Sequence, residues 1–553
     1  MKLPWQWRPT RQRVVGWALA LITVLIVTTN QQDVGIARDE TVYFSAGTKY
    51  AQWWLGLVTF DHGVSKPSIT GSFGGPPGGG TNSEHPPLVK TAIGLSHWLL
   101  HDKLHATDEL TAFRFPGALF AGLLVLLVYS MTLALWGFPA AVLAALCTLL
   151  LPRALFHEGL ACFDAPIMTL WFATIYAYWR CLDGRKWPWQ VGVVFGLALA
   201  TKHNAVLLPF ALGLHYLVVA WRAGRWRGLV HHRPRVLISL ALLGPLTLVA
   251  VWPWLWFDTV THVRQWLAFH MNHVHYNFEY LGHNWNAPRF PWHVALVTTL
   301  FTVPVATLAA ACTGVGVWLV RWRRGGGADG ARAPALLLGL SAAASIGPFL
   351  LGTTPIFGAE KHWMPMLPTV CIAAGVGAAW AARRAADYVR ALRPIGQVLA
   401  HRIALGVVGG SIVLAAATET VAAQPYALTW YNALAGGAPG GADLGMNRQF
   451  WGVAARGTLP FISQQAPTRV YSHDASPAWG WYQRLGLLHG FPDAGPETAG
   501  IARSNLAIVV HEKHFNRHDY LIWKSYGTVQ PVFVLRTAGV PIVSVYKRPV
   551  PHR

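Results

Sequence analysis

Three short polar clusters interrupt an otherwise apolar chain, and each holds groups able to move a proton or hold an anion. Arg38-Asp39-Glu40-Thr41-Val42-Tyr43 sets two adjacent carboxylates just beyond an apolar run from Val14 to Thr29. Ser83-Glu84-His85-Pro86-Pro87-Leu88-Val89-Lys90 closes the stretch that begins at Asp33, after a glycine-rich insert from Gly71 to Gly80. The third cluster, His157-Glu158 to Asp164-Ala165-Pro166, ends on an acid that opens another apolar run. An ionisable group at membrane depth is costly to keep, so it is a functional candidate by default. The plainer roles are solvated loop acids for Asp39 and Glu40, and for Asp164 a helix cap that accepts from free backbone amides at the positive end of the dipole.

Cations lie in two further interruptions, Lys202-His203-Asn204 and Glu360-Lys361-His362. Lys202 and Lys361 either snorkel to the interface or anchor a phosphate. The loop Phe257–Pro291 carries His262, His270, His273, His275 and His283. The spacing of His270, His273 and His275 could hold a transition metal, but no matching carboxylate or cysteine pattern accompanies it. A divalent metal is therefore an open possibility and no cofactor is assigned. Interfacial aromatic packing with Tyr276, Tyr280 and Trp285 is the default for this loop. The five cysteines, Cys147, Cys162, Cys181, Cys312 and Cys371, fall within or at the ends of apolar runs without paired metal spacing, and read as structural thiols with no disulfide framework.

The elements that must position these groups are membrane helices. Hydrophobic residues make up 53% of the 553, and charged residues only 12%, about half the share in soluble domains. The formal charge of +21 is spread over short basic clusters between apolar runs, which is a topology signal and not a nucleic-acid surface. The basic N-terminus, with Lys2, Arg8, Arg11 and Arg13, is followed by no small-residue cleavage site, so the first helix is expected to be retained. Apolar runs near 12–30, 114–136, 138–153, 164–181, 188–202, 204–221, 235–256, 292–320, 334–352, 363–382 and 402–422 give about eleven spans. Lys and Arg gather in the N-terminal arm and in 180–186, 222–235, 321–332 and 383–402, which are thereby expected to be cytoplasmic, with Asp183, Asp329 and Asp387. The loop Asp33–Lys90, the turn before Asp164, the loop Phe257–Pro291 and everything after Gln424 then share the external face.

The chain is thus expected to be mainly α. A transmembrane catalytic domain over 1–423, with a long first external loop (31–113) containing amphipathic helices, precedes a small extracytoplasmic α/β domain over 424–553. Strand-like runs at Arg469–Ser472, Leu506–Val510 and Val540–Tyr546 mark the latter. The glycine-rich segment from Tyr431 to Gly452 has no strand before it, and reads as a loop packing on the membrane part more readily than as a phosphate cradle.

In combination these motifs resemble the GT-C glycosyltransferases, specifically the protein O-mannosyltransferase (family 39) and lipid A aminoarabinose transferase group. The resemblance rests on Asp39-Glu40 after the first helix, Glu84-His85-Pro86-Pro87-Leu88-Val89-Lys90, Arg114-Phe115-Pro116-Gly117, Asp164-Ala165-Pro166 and Thr201-Lys202 in the same order. It covers Trp17 to Trp221 well and reaches more loosely to Ala423. It implies transfer of a hexosyl or pentosyl group from a polyprenyl-phosphate donor to an acceptor hydroxyl on a protein, lipid or glycan. It further implies Asp39 as general base, Glu40 and Asp164 as orienting acids, and Tyr43 as a recurrent aromatic. His85 stands as in the mannosyltransferases, where the aminoarabinose transferases carry a lysine that contacts donor phosphate. Glu84, His85, Lys202, His203 and Lys361 are the expected substrate-binding groups, and a single-step displacement would invert the anomeric centre. The expected location is the cytoplasmic membrane with the N-terminus inside. A transporter or flippase would also explain many spans with Asp164 and Lys202 at depth, but the chain shows no pair of similar halves with interrupted helices. A scaffold presenting the C-terminal domain leaves the acid pair without a purpose.

Overall fold

The computed structural model describes residues 11–76, 79–182, 187–231, 234–323 and 333–549. Lys2, Arg8, Arg233, Asp183 and Asp329, all used in the topology reading, lie outside these. The chain is mainly helical. Six described helices are long and apolar enough to cross a membrane: Arg11–Asn30, Glu109–Trp136, His203–Arg222, Val305–Arg323, Met364–Leu392 and Gln397–Ala423. A seventh is gained if Phe138–Leu149 and Pro152–Glu158, bent by 68°, count as one span. The eleven expected runs are therefore not all full-length helices. Trp189–Leu199, Arg235–Val251 and Pro334–Leu350 are shorter apolar helices. At 1.5 Å per residue the first of these is about 16 Å long, well short of a ~30 Å hydrocarbon core. Proline, lacking an amide proton, marks several of the breaks: Pro152, Pro253 and Pro304 each follow the end of a helix. The chain is a multi-pass membrane protein by the length and apolar character of these helices.

The first loop is built from α2 (Arg38–Val58), α3 (Lys66–Phe73) and α4 (Leu88–His97), following α1 (Arg11–Asn30) and preceding α5 (Glu109–Trp136). The crossing of α2 and α4 depends on a pair of glycines. A Cβ on Gly47 would meet the Lys90 carbonyl, and one on Gly94 would collide with the backbone of Gly47. Behind α5 lie α6 (Phe138–Leu149), α7 (Pro152–Glu158) and α8 (Asp164–Cys181). Trp171, Ile175 and Tyr178 of α8 are buried in the largest core cluster together with Leu124 and Val128 of α5.

The C-terminal part holds a four-stranded sheet in the order β3-β4-β6-β5, where β3 is Val470–Tyr471, β4 Leu506–Val510, β5 Phe533–Thr537 and β6 Val540–Lys547. β3 runs parallel to β4, and the other pairs are antiparallel. The three strands expected from sequence are present. β5 and the small hairpin β1 (Phe278–Tyr280) with β2 (His283–Trp285) were not anticipated. Pro541 occurs inside the central strand β6, opposite Arg536, where the register of β5 slips between Leu535 and Arg536; an irregular site is where a strand tolerates a residue without an amide proton. One buried cluster joins the two parts of the chain: Ile36, Phe44 and Phe113 pack in it with Trp479, Tyr482, Ile508 and Val543.

Candidate active site

A cavity of about 820 Å³ is walled by the first turn of α2, the loop 82–85, the start of α8, Lys202-His203, the segment after Met271, the loop before Met364, and Asp474 and Glu512 from the C-terminal part. Asp39, Tyr43, Glu84, His85, Asp164, Lys202, His203 and Lys361 all line it, so residues separated by more than 300 positions share one space.

Asp39 stands in the first turn of α2 with its side chain 31% exposed and 4.0 Å from Arg38 Nε. Among the described residues no donor hydrogen-bonds to its carboxylate, which leaves it able to accept from a molecule in the cavity. Glu40, one residue on, points elsewhere. Its Oε1 accepts from Arg114 Nε (2.8 Å) and the Ala161 amide (2.8 Å), and its Oε2 from Arg114 Nη2 (2.7 Å) and the Ala37 amide (2.8 Å). Both carboxylate oxygens are thus twice engaged. Arg114, wholly buried, completes its five donors on the carbonyls of Gln31, Val34 and Gly35. Glu40 therefore does not line the cavity, contrary to the orienting role expected for it at the substrate. It is a positioning residue that fixes the start of α2, and with it Asp39.

On the opposite wall Lys202 Nζ donates to Asp164 Oδ1 at 2.6 Å, both groups buried. Lys361 is different. Its neighbour Glu360 accepts from Arg153 at 2.8 Å, while Arg153 also donates to the Trp430 carbonyl. Lys361 is left with no hydrogen bond or ion pair among the described residues, its ammonium 4.0 Å from the Trp451 ring centre and 4.8 Å from that of Phe357. Burial lowers its pKa, opposed by the charges of Asp164 and Asp39. An aromatic-faced ammonium without a bound carboxylate is suited to an anionic group.

The loop 82–85 is held from beneath by Lys90, whose Nζ donates to the Asn82 carbonyl (2.6 Å), Asn82 Oδ1 (2.9 Å) and the His85 carbonyl (2.8 Å). Asn82 in turn donates to Glu84 Oε1 at 2.9 Å. His85 packs on Phe163 and His270. Burial, with Lys90, His270 and Lys202 adding to it, holds its imidazole well below the ordinary range. It is consequently neutral near pH 7, a hydrogen-bonding ring.

His203 stacks on His270 with centroids 3.8 Å apart, and His270 Nε2 lies 3.2 Å from the Glu84 carbonyl. His273 stacks on Phe357, whereas His275 lies against Phe290 and off the cavity wall. These three histidines do not meet at a common point as the metal reading of their spacing required: the helix ends at Met271, and residues 273–277 beyond it have no regular structure. Arg38, Asp474 and Glu512 complete the far wall; the sequence singled out the cluster that Arg38 opens, but not the two acids. Arg38 donates to Asp474 Oδ1 at 3.2 Å. Burial and the neighbouring acids Asp474 and Glu279 push Glu512 well above the ordinary carboxylate range. The available signal was positional: Glu512 sits just past the end of β4, and Asp474 just past β3.

Residues 84–254 match the family profile described as dolichyl-phosphate-mannose-protein mannosyltransferase. The chain resembles the GT-C glycosyltransferases. The matched segment runs from Glu84 through Asp164 and Lys202 to Trp254, so it contains six of the residues on the cavity wall: Glu84, His85, Phe163, Asp164, Lys202 and His203. No curated protein sequence matches the chain. Among solved structures, it is similar to ArnT from Cupriavidus metallidurans bound to undecaprenyl phosphate, with 14% identity, a TM-score of 0.49 and coverage of 96% of this chain and 97% of that one. Similarity extends to the archaeal oligosaccharyltransferase AglB from Archaeoglobus fulgidus in complex with an inhibitory peptide and a dolichol-phosphate, at 11% identity, TM-score 0.49, and coverage of 93% and 71%. For the S. cerevisiae protein O-mannosyltransferase Pmt1-Pmt2 complex bound to the sugar donor the values are 18%, 0.32, and 47% and 34%.

Proposed function

We propose that this protein is a membrane glycosyltransferase that moves a sugar from a polyprenyl-phosphate donor to an acceptor hydroxyl at the external face of the cytoplasmic membrane. The N-terminus is inside and the C-terminal part outside. The observation that carries the reading is the pairing, in one cavity, of a carboxylate that accepts no hydrogen bond among the described residues (Asp39) with a buried lysine that has no hydrogen bond or ion pair among them (Lys361). The first takes a proton and the second receives negative charge, which are the two demands of this reaction. The match to a family of lipid-phosphate sugar users over 84–254 supports the donor class.

The step is a displacement at the anomeric carbon. Asp39 accepts the acceptor hydroxyl proton as the oxygen forms its bond to that carbon. The bond from the anomeric carbon to the phosphate oxygen breaks, and the phosphate leaves with the electron pair. Lys361 and Lys202, the latter already oriented by Asp164, stabilise the charge that develops there. A single displacement inverts the configuration. His85 and Tyr43 shape the space around the sugar, and Glu84 supports the loop that carries His85. Hexosyl and pentosyl groups are both compatible with this wall. Protein, lipid and glycan acceptors are alternatives that the experiment separates.

Vesicles containing the protein, supplied with a labelled polyprenyl-phosphate sugar and cell-envelope acceptors, should give donor-dependent labelling with the wild type and none above background with Asp39→Asn. Equal labelling by the two proteins would overturn the assignment.

A further inference from the structure

We propose that His97, His101 and Asp102 form a binding site for a transition-type divalent cation, best matched to Zn²⁺, that fastens the end of the first external loop to the C-terminal part. One ligand atom from each of the three lies within 4.8 Å of the others. The backbone makes the set. In a regular α-helix residues 97 and 101 share a face and residue 102 does not. From Trp98 to Lys103, however, the helix is a π-helix, whose i→i+5 period turns Asp102 back beneath His97. His97 Nδ1 is 3.5 Å from Asp102 Oδ2, close to the ~3.4 Å edge of a tetrahedron with ~2.1 Å ligand bonds. Drawing His101 and the exposed Asp102 inward by about an ångström completes three protein ligands, with water as the fourth.

The second ring nitrogens lie close to acceptors, as is usual for metal-bound imidazoles. His97 Nε2 is 3.3 Å from Glu109 Oε1, and His101 Nδ1 is 3.2 Å from the Thr107 carbonyl. His97 is further fixed by stacking on Phe113, with centroids 4.0 Å apart. Glu109 is held bidentately by Arg484, on the helix Ser476–Arg484 of the C-terminal part. A cation here would link α4, the start of α5 and that helix through one relay. The site lies at the opposite end of α4 from Lys90, about 10 Å along the helix, and the inference stands independently of the proposed transfer reaction.

The test uses the full chain, purified untagged in detergent and stripped with a chelator, titrated with Zn²⁺ against a competing fluorescent indicator. His101→Ala and Asp102→Ala are the informative variants, because both side chains are at least partly exposed and neither is needed for packing. An unfolding midpoint equal to that of the wild type in chelator confirms their fold. The wild type should bind one equivalent and gain thermal stability from it, and each variant should bind at least about a hundredfold more weakly with no such gain. Substituting Co²⁺ should give the visible absorption of a tetrahedral nitrogen and oxygen site. Absence of zinc binding by the wild type, unchanged binding in both variants, or loss of binding on His273→Ala instead would each overturn the proposal.

Discussion

Asp39 and Glu40 are neighbours in sequence but about 100° apart around a helix, so one faces the cavity and the other the Arg114 fork. Their substitutions should separate cleanly. Asp39→Asn is expected to reduce donor-dependent labelling by about 10²- to 10⁴-fold while leaving membrane insertion and the unfolding midpoint unchanged. Glu40→Gln withdraws the charge that partners a wholly buried guanidinium, costing about 3–5 kcal/mol, and should appear as poor yield and a lowered midpoint. The reverse pattern would exchange the roles of the two acids. Lys361→Met keeps the apolar contact with Trp451 and Phe357 but removes the cation. Turnover is expected to fall by roughly 10²- to 10³-fold, the loss typical of one preorganised group at a developing charge. Near-normal turnover in single-cycle kinetics would remove Lys361 from the leaving-group site.

At the level of elements, the loop 82–85 is placed by the crossing of α2 and α4, and that crossing depends on Gly47 and Gly94. Gly94→Val inserts three carbons where two backbones touch, an overpacking worth about 1–3 kcal/mol. Because Lys90 rides on α4 and holds the carbonyls of Asn82 and His85, the displacement should also move His85. Thermal unfolding and labelling assays on the same preparation should therefore show both losses, and a variant with altered stability but full activity would show that the loop is positioned in some other way. The Glu40–Arg114 clamp acts similarly at the other side, tying the segment 31–35, α2, α5 and Ala161 together.

For the whole molecule, the division at residue 423 does not separate two cores. Phe44 and Phe113 of the first part are buried with Trp479 and Ile508 of the second. A chain ending at Ala423 is accordingly expected to aggregate on extraction, as judged by size-exclusion chromatography; a monodisperse, donor-binding truncation would show that the first part folds alone. The histidine-rich interior adds a pH dependence. Burial holds His85 and His362 well below the ordinary range and His270 at about 4, with neighbouring cations contributing. The unfolded chain takes up these protons near pH 6.5 and the folded one does not, so stability is fully present above about 6.5 and is lost as pH falls toward about 4. The slope is at most about 1.4 kcal/mol per pH unit for each such histidine. A thermal-shift series from pH 8 to pH 4.5 should show the decline, and a flat series would mean that these rings take up protons in the fold.

Composition and hydropathy alone were enough for the membrane class, because a chain with 12% charged residues and long apolar runs has no soluble alternative. The acid pair, Glu84-His85-Pro86-Pro87, Asp164, Lys202 and Lys361 were visible as polar interruptions, since ionisable groups are rare against such a background. Run length could not say where a helix would end early: in the run 235–256 the helix stops at Val251, just before Pro253, and in the run 188–202 it stops at Leu199, before Thr201-Lys202. Nor could it say which of two adjacent carboxylates faces the cavity. That depended on Arg114, 74 residues away, whose five donors fit Glu40 and three loop carbonyls. The charge of His85 and the far wall of Asp474 and Glu512 were likewise decided by tertiary structure, because burial and the meeting of distant segments have no spacing in the chain to announce them.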